Sequence, residues 1–205
     1  PFAGVAQPDE VGDPSAAGLG GTSYMVAADN KGNVAAVITS LTSAFGSLVF
    51  VPDGGFFLNN AMRNFDPRTD RGNSIAPGKT PVFAAPAIAA ERGGIGVFAA
   101  AGAGGYRIAS GVLHALVNHV DFGMRAQAAV DAPRVHCQGA ETFVDSRIPD
   151  HVQTRLAEIG HHVVSQDETP APLAFARVGA VARDEAAGEL SAGAGPGSRT
   201  ASGAL

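Results

Sequence analysis

The order of hydrophobic patterns predicts an α+β fold: strands, then helices, then strands, with helices layered on a mostly antiparallel sheet. Three observations carry it. Short apolar runs, several rich in β-branched residues, alternate with Gly, Pro and Asn turns through the first half of the chain. Residues 106–120 switch to helical spacing, with apolar side chains at Ile108, Val112, Leu113, Leu116, Val117 and Val120. A late apolar run over 174–183 returns to strand character.

Residues 1–21 are rich in Pro, Gly, Ala and acids, as in Pro8-Asp9-Glu10 and Gly12-Asp13-Pro14-Ser15, and read as an extended, largely unpacked segment. Residues 25–28 form a strand, and Asn30-Lys31-Gly32-Asn33 a tight turn with Gly and Asn where positive φ is needed. Residues 34–41 are the return strand of this hairpin, with Thr22 at its open end. A second pair, 48–52 and 55–58, surrounds Pro52-Asp53-Gly54, and 65–80 is a polar loop. Two more strands, 82–90 and 95–101, flank Glu91-Arg92-Gly93-Gly94. The helix over 106–120 opens right after Gly104-Gly105, which aims its free N–H groups at that turn. A short helix over 124–130 ends before Pro133, and a third over 148–159 stops at Gly160. Val163-Val164 and 174–183 are late strands, the second turning at 184–188. Residues 191–205 are rich in Gly, Ala and Ser and read as coil or a packed tail.

Composition bounds the function. A chain of 205 residues suits one domain or one subunit of a larger enzyme, and 45% hydrophobic residues suffice for a core. The net charge of −5, with no basic block, argues against a nucleic-acid partner. The single cysteine, Cys137, rules out an intrachain disulfide and a cysteine-built zinc site. His161-His162 would point to opposite faces of a strand, and His114 and His119 are off the i, i+4 spacing of a ligand pair. His136 beside Cys137 reads as structural. No metal and no cofactor is therefore expected. Gly102-Ala103-Gly104-Gly105 lacks the Gly-Lys-Ser/Thr of a phosphate loop, and Arg107 is expected to support that turn or pair with an acid such as Asp131. No apolar run approaches the ~18–20 residues of a membrane span, and Pro1-Phe2-Ala3-Gly4 has neither a basic start nor an apolar signal core. A membrane is not an expected partner. The compartment stays open, leaning to the cytoplasm unless a signal lies upstream.

The stretch with chemical content is Gly20-Gly21-Thr22-Ser23-Tyr24. Two glycines leave the backbone accessible just before a strand. Read functionally, Thr22 is a latent nucleophile: scission of the Gly21–Thr22 bond sets its hydroxyl beside its own α-amine. A free α-amine has a pKa of about 7.7–8.0, so it can serve as the base near neutrality without a histidine. Read blandly, it is a loop entering a strand. For an oxyanion site the candidates are the backbone N–H groups of Gly104 and Gly105, ahead of a helix whose dipole favours a developing negative oxygen.

The blocks 22–33, Phe45-Gly46-Ser47, Leu58-Asn59-Asn60-Ala61-Met62-Arg63-Asn64-Phe65, Ile75-Ala76-Pro77-Gly78-Lys79, Gly102 to Ile108, and Asp121-Phe122-Gly123-Met124 leading to Asp131-Ala132-Pro133-Arg134-Val135-His136 follow one another in this order. Together they resemble the small subunit of gamma-glutamyltranspeptidases, from Thr22 almost to the C-terminus. The resemblance implies a four-layer αββα sandwich of the N-terminal nucleophile hydrolase type, shared between two subunits, of which this chain supplies about half. It implies that residues 1–21 end the large subunit and 22–205 form the small one, with that large subunit as partner. Ser40 falls where the family places a hydroxyl that hydrogen-bonds the nucleophile.

The substrate-binding positions depart from the family. Thr42 stands for an asparagine, Ala61 for a glutamine and Asn64 for an aspartate. The run Pro81-Val82-Phe83-Ala84-Ala85-Pro86 lacks the paired serines. Without a carboxylate at 64 an α-ammonium loses its partner, and an unpartnered buried charge costs several kcal/mol. The expectation is a more open, more apolar pocket around Thr42, Ala61, Asn64 and Phe83 that prefers a small-molecule amide with a non-glutamyl acyl group. The alternatives are a true γ-glutamyltransferase or glutathione hydrolase, and an inactive, uncleaved member serving as a binding or scaffold subunit.

Overall fold

The computed structural model describes residues 21–169, 174–184 and 187–196. The extended segment expected over 1–20 and the end of the tail beyond 196 lie outside the described residues.

The chain opens on an antiparallel hairpin, β1 (Thr22–Ala28) and β2 (Val34–Ser40), with Thr22 opposite Ser40 and Ala28 opposite Val34. The turn is closed by Asp29. Its carboxylate accepts the N–H groups of Lys31 and Asn33 at 2.9 Å and the Asn33 amide at 2.7 Å, a side-chain mimic of a backbone turn. Alternation divides the hairpin into two faces. Thr22, Tyr24, Val26, Ile38 and Ser40 turn inward, while Ser23, Met25, Val37 and Thr39 turn outward.

The inner face stacks on a four-stranded antiparallel sheet of order β11-β10-β6-β5. Its strands are β5 (Ile88–Arg92), β6 (Ile95–Ala103), β10 (Arg177–Arg183) and β11 (Leu190–Ala194). β6 is buried at seven consecutive positions because both of its faces are covered. The two sheets meet closely because glycines line the contact. A Cβ on Gly96 would fall 2.7 Å from a Val34 methyl, and one on Gly179 would fall 2.7 Å from the Tyr24 ring. The Gly96 N–H also donates to the Gly32 carbonyl at 2.8 Å, tying the hairpin turn to the start of β6.

Helices cover the other face. α1 (Arg107–Val120) buries Ile108, Gly111, Val112 and Ala115, and α2 (Ala126–Asp131) buries Ala126, Ala129 and Val130. They share a core with Phe98, Ala100, Val178 and Ala180. In the described residues the layers thus run helix, sheet, sheet. The outer face of the hairpin is open, with Met25 67% exposed.

A separate three-stranded sheet holds β7 (Val135–Gln138), β8 (Glu141–Asp145) and β9 (His162–Gln166). β8 and β9 are parallel, and α3 (Asp150–Glu158) supplies the crossover such a pair requires. The strands expected at 48–52 and 55–58 shrink to the two-residue pieces β3 (Phe50–Val51) and β4 (Phe56–Phe57).

Two expectations are corrected, and two strands are added. Residues 82–87 are not strand; Pro81 precedes them and Pro86 lies within them, and only Ile88–Arg92 pairs. Residues 135–138 and 141–145 are strands although their polar residues hid the pattern. Residues 191–194 are strand rather than coil: a Cβ on Gly193 would sit 2.6 Å from the α2 backbone, so small residues there mark close packing.

Candidate active site

Thr22 begins β1 on its inner face. The hairpin turn sits at the start of β6, and Tyr24, two residues from Thr22, lies over Gly179, which pairs with Ala101. The hairpin therefore runs alongside β6, and its open end reaches the end of β6 where Gly104 and Gly105 follow. Register alone brings the hydroxyl and the diglycine to one end of the sandwich.

At that end the Thr22 Oγ1 and Ser40 Oγ lie 2.8 Å apart, and either hydroxyl can donate. The Thr42 N–H donates to Ser40 Oγ at 3.0 Å. With one lone pair so occupied, Ser40 keeps a proton and a second lone pair, and can donate to Thr22 or accept from it. Thr42 has φ 71°, an uncommon conformation for a β-branched residue, and its Oγ1 is buried without a hydrogen-bond partner. The Leu41 N–H donates to the Gly21 carbonyl at 2.8 Å. A Cβ on Gly21 would lie 2.5 Å from the Ser43 carbonyl oxygen, so the residue before Thr22 must be glycine to fit. The Gly21–Thr22 bond is thus held on both sides, by its carbonyl and by the neighbouring hydroxyl.

Gly104 and Gly105 have φ 142° and 63°, both in the region that favours glycine. Their carbonyls accept from Arg107 (3.4 Å) and Ile108 (3.1 Å), closing the first turn of α1. Among the described residues neither N–H donates to an acceptor. Two free N–H groups at the mouth of a helix make an anion-stabilising arrangement.

The expected pocket positions are linked by asparagines that sequence reasoning did not single out. Asn60 donates its side-chain amide to Ser43 at 2.9 Å and its N–H to the Leu41 carbonyl at 3.2 Å. This ties the short 3₁₀ turn Ala61–Asn64 to the end of β2 and hence to Thr42. Asn73 donates to the Asn64 carbonyl at 2.6 Å and accepts the Val82 N–H at 3.2 Å. It thereby brings the run holding Phe83 beside Asn64. The Asn59-Asn60 pair was the available signal; Asn73, alone in a polar loop, gave none.

His119 and His136 are engaged, whereas the His114 Nδ1 is buried without a hydrogen-bond partner. His136 lies 2.9 Å from Ser110 Oγ and 3.2 Å from Gln138 Oε1, and His119 Nδ1 lies 2.8 Å from the Met124 carbonyl while its ring stacks on Phe98. Burial holds both His114 and His136 below the ordinary imidazole value. No group of three His, Cys, Asp or Glu capable of holding a metal occurs among the described residues. Arg107 does not pair with Asp131: that carboxylate accepts from Gln127 at 2.8 Å, and the Arg107 Nε is buried without a hydrogen-bond partner.

The sequence of residues 6–205 matches the profile of gamma-glutamyltranspeptidase. The chain belongs to the gamma-glutamyltranspeptidase family. Its members are N-terminal nucleophile hydrolases, and several curated relatives are named as proenzymes. The acylase ACY 1 proenzyme of Pseudomonas sp. (strain SE83) is 41% identical over 155 residues, 72% of this chain and 27% of that protein. The glutathione hydrolase proenzyme of Bacillus subtilis (strain 168) is 30% identical over 159 residues, 77% of this chain and 27% of that protein. The chain thus spans about a quarter of the length of these gamma-glutamyltranspeptidase relatives. The gamma-glutamyltranspeptidase of Pseudomonas nitroreducens, solved with L-DON, aligns at TM-score 0.73 and 23% identity over 89% of this chain and 99% of that one, which shows the shared fold.

Proposed function

We propose that this chain carries the nucleophile of an N-terminal-threonine amidohydrolase that is cleaved at Gly21–Thr22 and acts on a non-glutamyl acyl amide. The observation that carries the reading is the Thr22–Ser40 hydroxyl pair at 2.8 Å, set at the end of β1 nearest Gly104 and Gly105. In cleavage, Thr22 Oγ adds to the Gly21 carbonyl carbon, whose oxygen is already bonded by the Leu41 N–H. The C–N bond breaks, leaving an ester on Thr22 and a free amine. Water then hydrolyses the ester to a Gly21 carboxylate.

In turnover the Thr22 amine takes the proton of its own Oγ while Ser40 donates to that oxygen. The oxygen adds to the substrate carbonyl, and the oxyanion is met by the Gly104 and Gly105 N–H groups. Collapse expels the amine, which leaves with the proton. Water, or a second amine, releases the acyl group from Thr22.

The pocket argument concerns the acyl group. Thr42, Ala61, Asn64 and Phe83 offer no carboxylate to an α-ammonium, and Phe83 is 47% exposed toward solvent. The 41% identity to a relative named as an acylase supports an acyl amide over a γ-glutamyl donor. The glutathione hydrolase relatives support the second reading, γ-glutamyl transfer or hydrolysis.

Intact mass of the full-length protein tests the first half of the proposal. Two chains, one beginning at Thr22, are expected, and a single uncut chain is expected for Thr22→Ala. An uncut wild-type protein would leave the scaffold reading standing. A panel of acyl amides beside a γ-glutamyl anilide tests the second half: faster turnover of the anilide overturns the acyl preference.

A further inference from the structure

We infer that Arg134 is a positioning residue for the diglycine: its guanidinium, anchored by Glu168, holds the Ala176 carbonyl, and Ala176 in turn seats Gly104. The inference rests on the oxyanion role proposed above. Arg134 is 3% exposed and lies beneath the sheet, behind α1 and the start of β10. Its Nη1 donates to the Ala176 carbonyl at 3.0 Å, and its Nη2 is ion-paired with Glu168. Glu168 also takes Arg147 at 2.7 Å, and Arg147 is held by the fully buried Asp145, whose N–H donates to the Arg134 carbonyl at 2.9 Å. Two cations and two carboxylates therefore balance inside one network.

The packing turns this network into a support for the turn. A Cβ on Gly104 would lie 3.0 Å from the Ala176 Cα, so the Gly104 backbone rests directly on that residue. Gly111 of α1 leaves room beside it: a Cβ there would meet the Ala176 Cβ at 3.1 Å and Arg134 Nη1 at 3.9 Å. Gly195 does the same on the other side, where a Cβ would meet Arg134 Nη2 at 3.5 Å. Three backbone segments thus converge on one planar guanidinium.

A buried ion pair adds little net stability over well-packed apolar residues. Its fixed fork does give orientation, because the donors cannot be moved independently. The Ala176 carbonyl and the Glu168 carboxylate are met by two different nitrogens of one rigid plane. A lysine ammonium at 134 reaches one of them, not both in this geometry.

The test uses the mature enzyme from the full-length precursor and an alkylboronic acid, which forms a tetrahedral adduct with the Thr22 hydroxyl and places an oxygen in the oxyanion site. Concentrations are normalised by active-site titration, so a loss of folded protein does not count. Arg134→Lys is expected to lower kcat roughly 10- to 100-fold, short of the ~10²–10³ for deleting an oxyanion donor outright. KM should stay within about threefold, since the substrate's ground state does not engage the turn. Boronate affinity should fall by the same factor as kcat/KM, while the affinity for the product acid stays. Should Arg134→Lys fail to mature, Glu168→Gln is read instead, with a smaller loss in the same proportion. Unchanged kcat and boronate affinity in these variants overturn the inference. The amide resonances of Gly104 and Gly105 in isotope-labelled enzyme separate the two levels. If boronate binding leaves both unshifted, the oxyanion reading falls. If both shift and the Arg134 and Glu168 variants leave boronate affinity unchanged, the positioning role alone falls.

Discussion

Removing the Ser40 hydroxyl separates a catalytic role from a structural one. Ser40→Ala deletes two hydrogen bonds, the one to Thr22 Oγ1 at 2.8 Å and the one from the Thr42 N–H at 3.0 Å. Each is worth about 0.5–1.5 kcal/mol net, and leaving the part-buried Thr42 N–H without an acceptor adds a desolvation cost, so stability should fall by about 1–3 kcal/mol. Activity should fall further. Without Ser40 the Thr22 hydroxyl rotates freely about its χ1, and misplacing a nucleophile by about an ångström costs on the order of 10²-fold in rate. That corresponds to about 2.7 kcal/mol in the barrier. Steady-state kinetics on the mature enzyme should show the loss in kcat, with KM within about threefold, and denaturant melts should supply the stability term. Ser40→Thr keeps the hydroxyl at a position where a β-branched residue suits the strand, so it should recover most of kcat. Full kcat in Ser40→Ala, or a loss that Ser40→Thr does not recover, would refute the idea that this pair aligns the nucleophile.

Two further outcomes follow from single side chains. Asn64→Asp returns a carboxylate to the position beside Asn73 and Phe83, and a charge-assisted bond to an α-ammonium should raise kcat/KM for a γ-glutamyl anilide by about tenfold or more, measured against an unchanged acyl amide. The second concerns pH. Hydrogen bonds from the Arg68 side chain and backbone hold the Asp66 carboxyl down at about 2, against an ordinary 3.8. A depressed acid stabilises the fold above its unfolded value and loses that contribution as pH falls through the folded one. Melts of the native protein should therefore weaken between about pH 4 and pH 2 by more than those of Asp66→Asn, and equal acid sensitivity in the two would remove the assignment.

The first hairpin was legible because its cues are local: an Asn-Lys-Gly-Asn turn between two alternating runs sets both register and faces. α1 was legible by its apolar stripe, down to its start after the diglycine. The sheet of β7, β8 and β9 was not. Its residues His136, Thr142 and Asp145 are polar yet buried: His136 and Thr142 are met by Ser110 and His161, far away in sequence, while Asp145 is met by Arg147 two residues on, a pairing that no hydrophobic pattern reveals. β11 was missed for the opposite reason: Ser191, Ala192, Gly193 and Ala194 look like linker, and only the α2 backbone above them explains why nothing larger fits. The candidate nucleophile and diglycine were found by their residue types. The asparagine bridges and the Arg134 network were invisible because they are tertiary facts.

What links the local cues to the candidate site is register. Side chains alternate along a strand, so a slip of one residue in the β1–β2 pairing would put Thr22 and Ser40 on opposite faces of the hairpin and part the two hydroxyls. Three contacts oppose that slip. Asp29 closes the turn through three hydrogen bonds. The Gly96 N–H holds the Gly32 carbonyl. The Tyr24 ring fits only where Gly179 leaves a gap. None of the three touches Thr22, and the farthest lies at the opposite end of the hairpin, yet together they determine which hydroxyls face the end of β6. The position of the candidate nucleophile is therefore a property of the sheet stack, and substitutions at Asp29, Gly96 or Gly179 act on Thr22 through the strand that carries it.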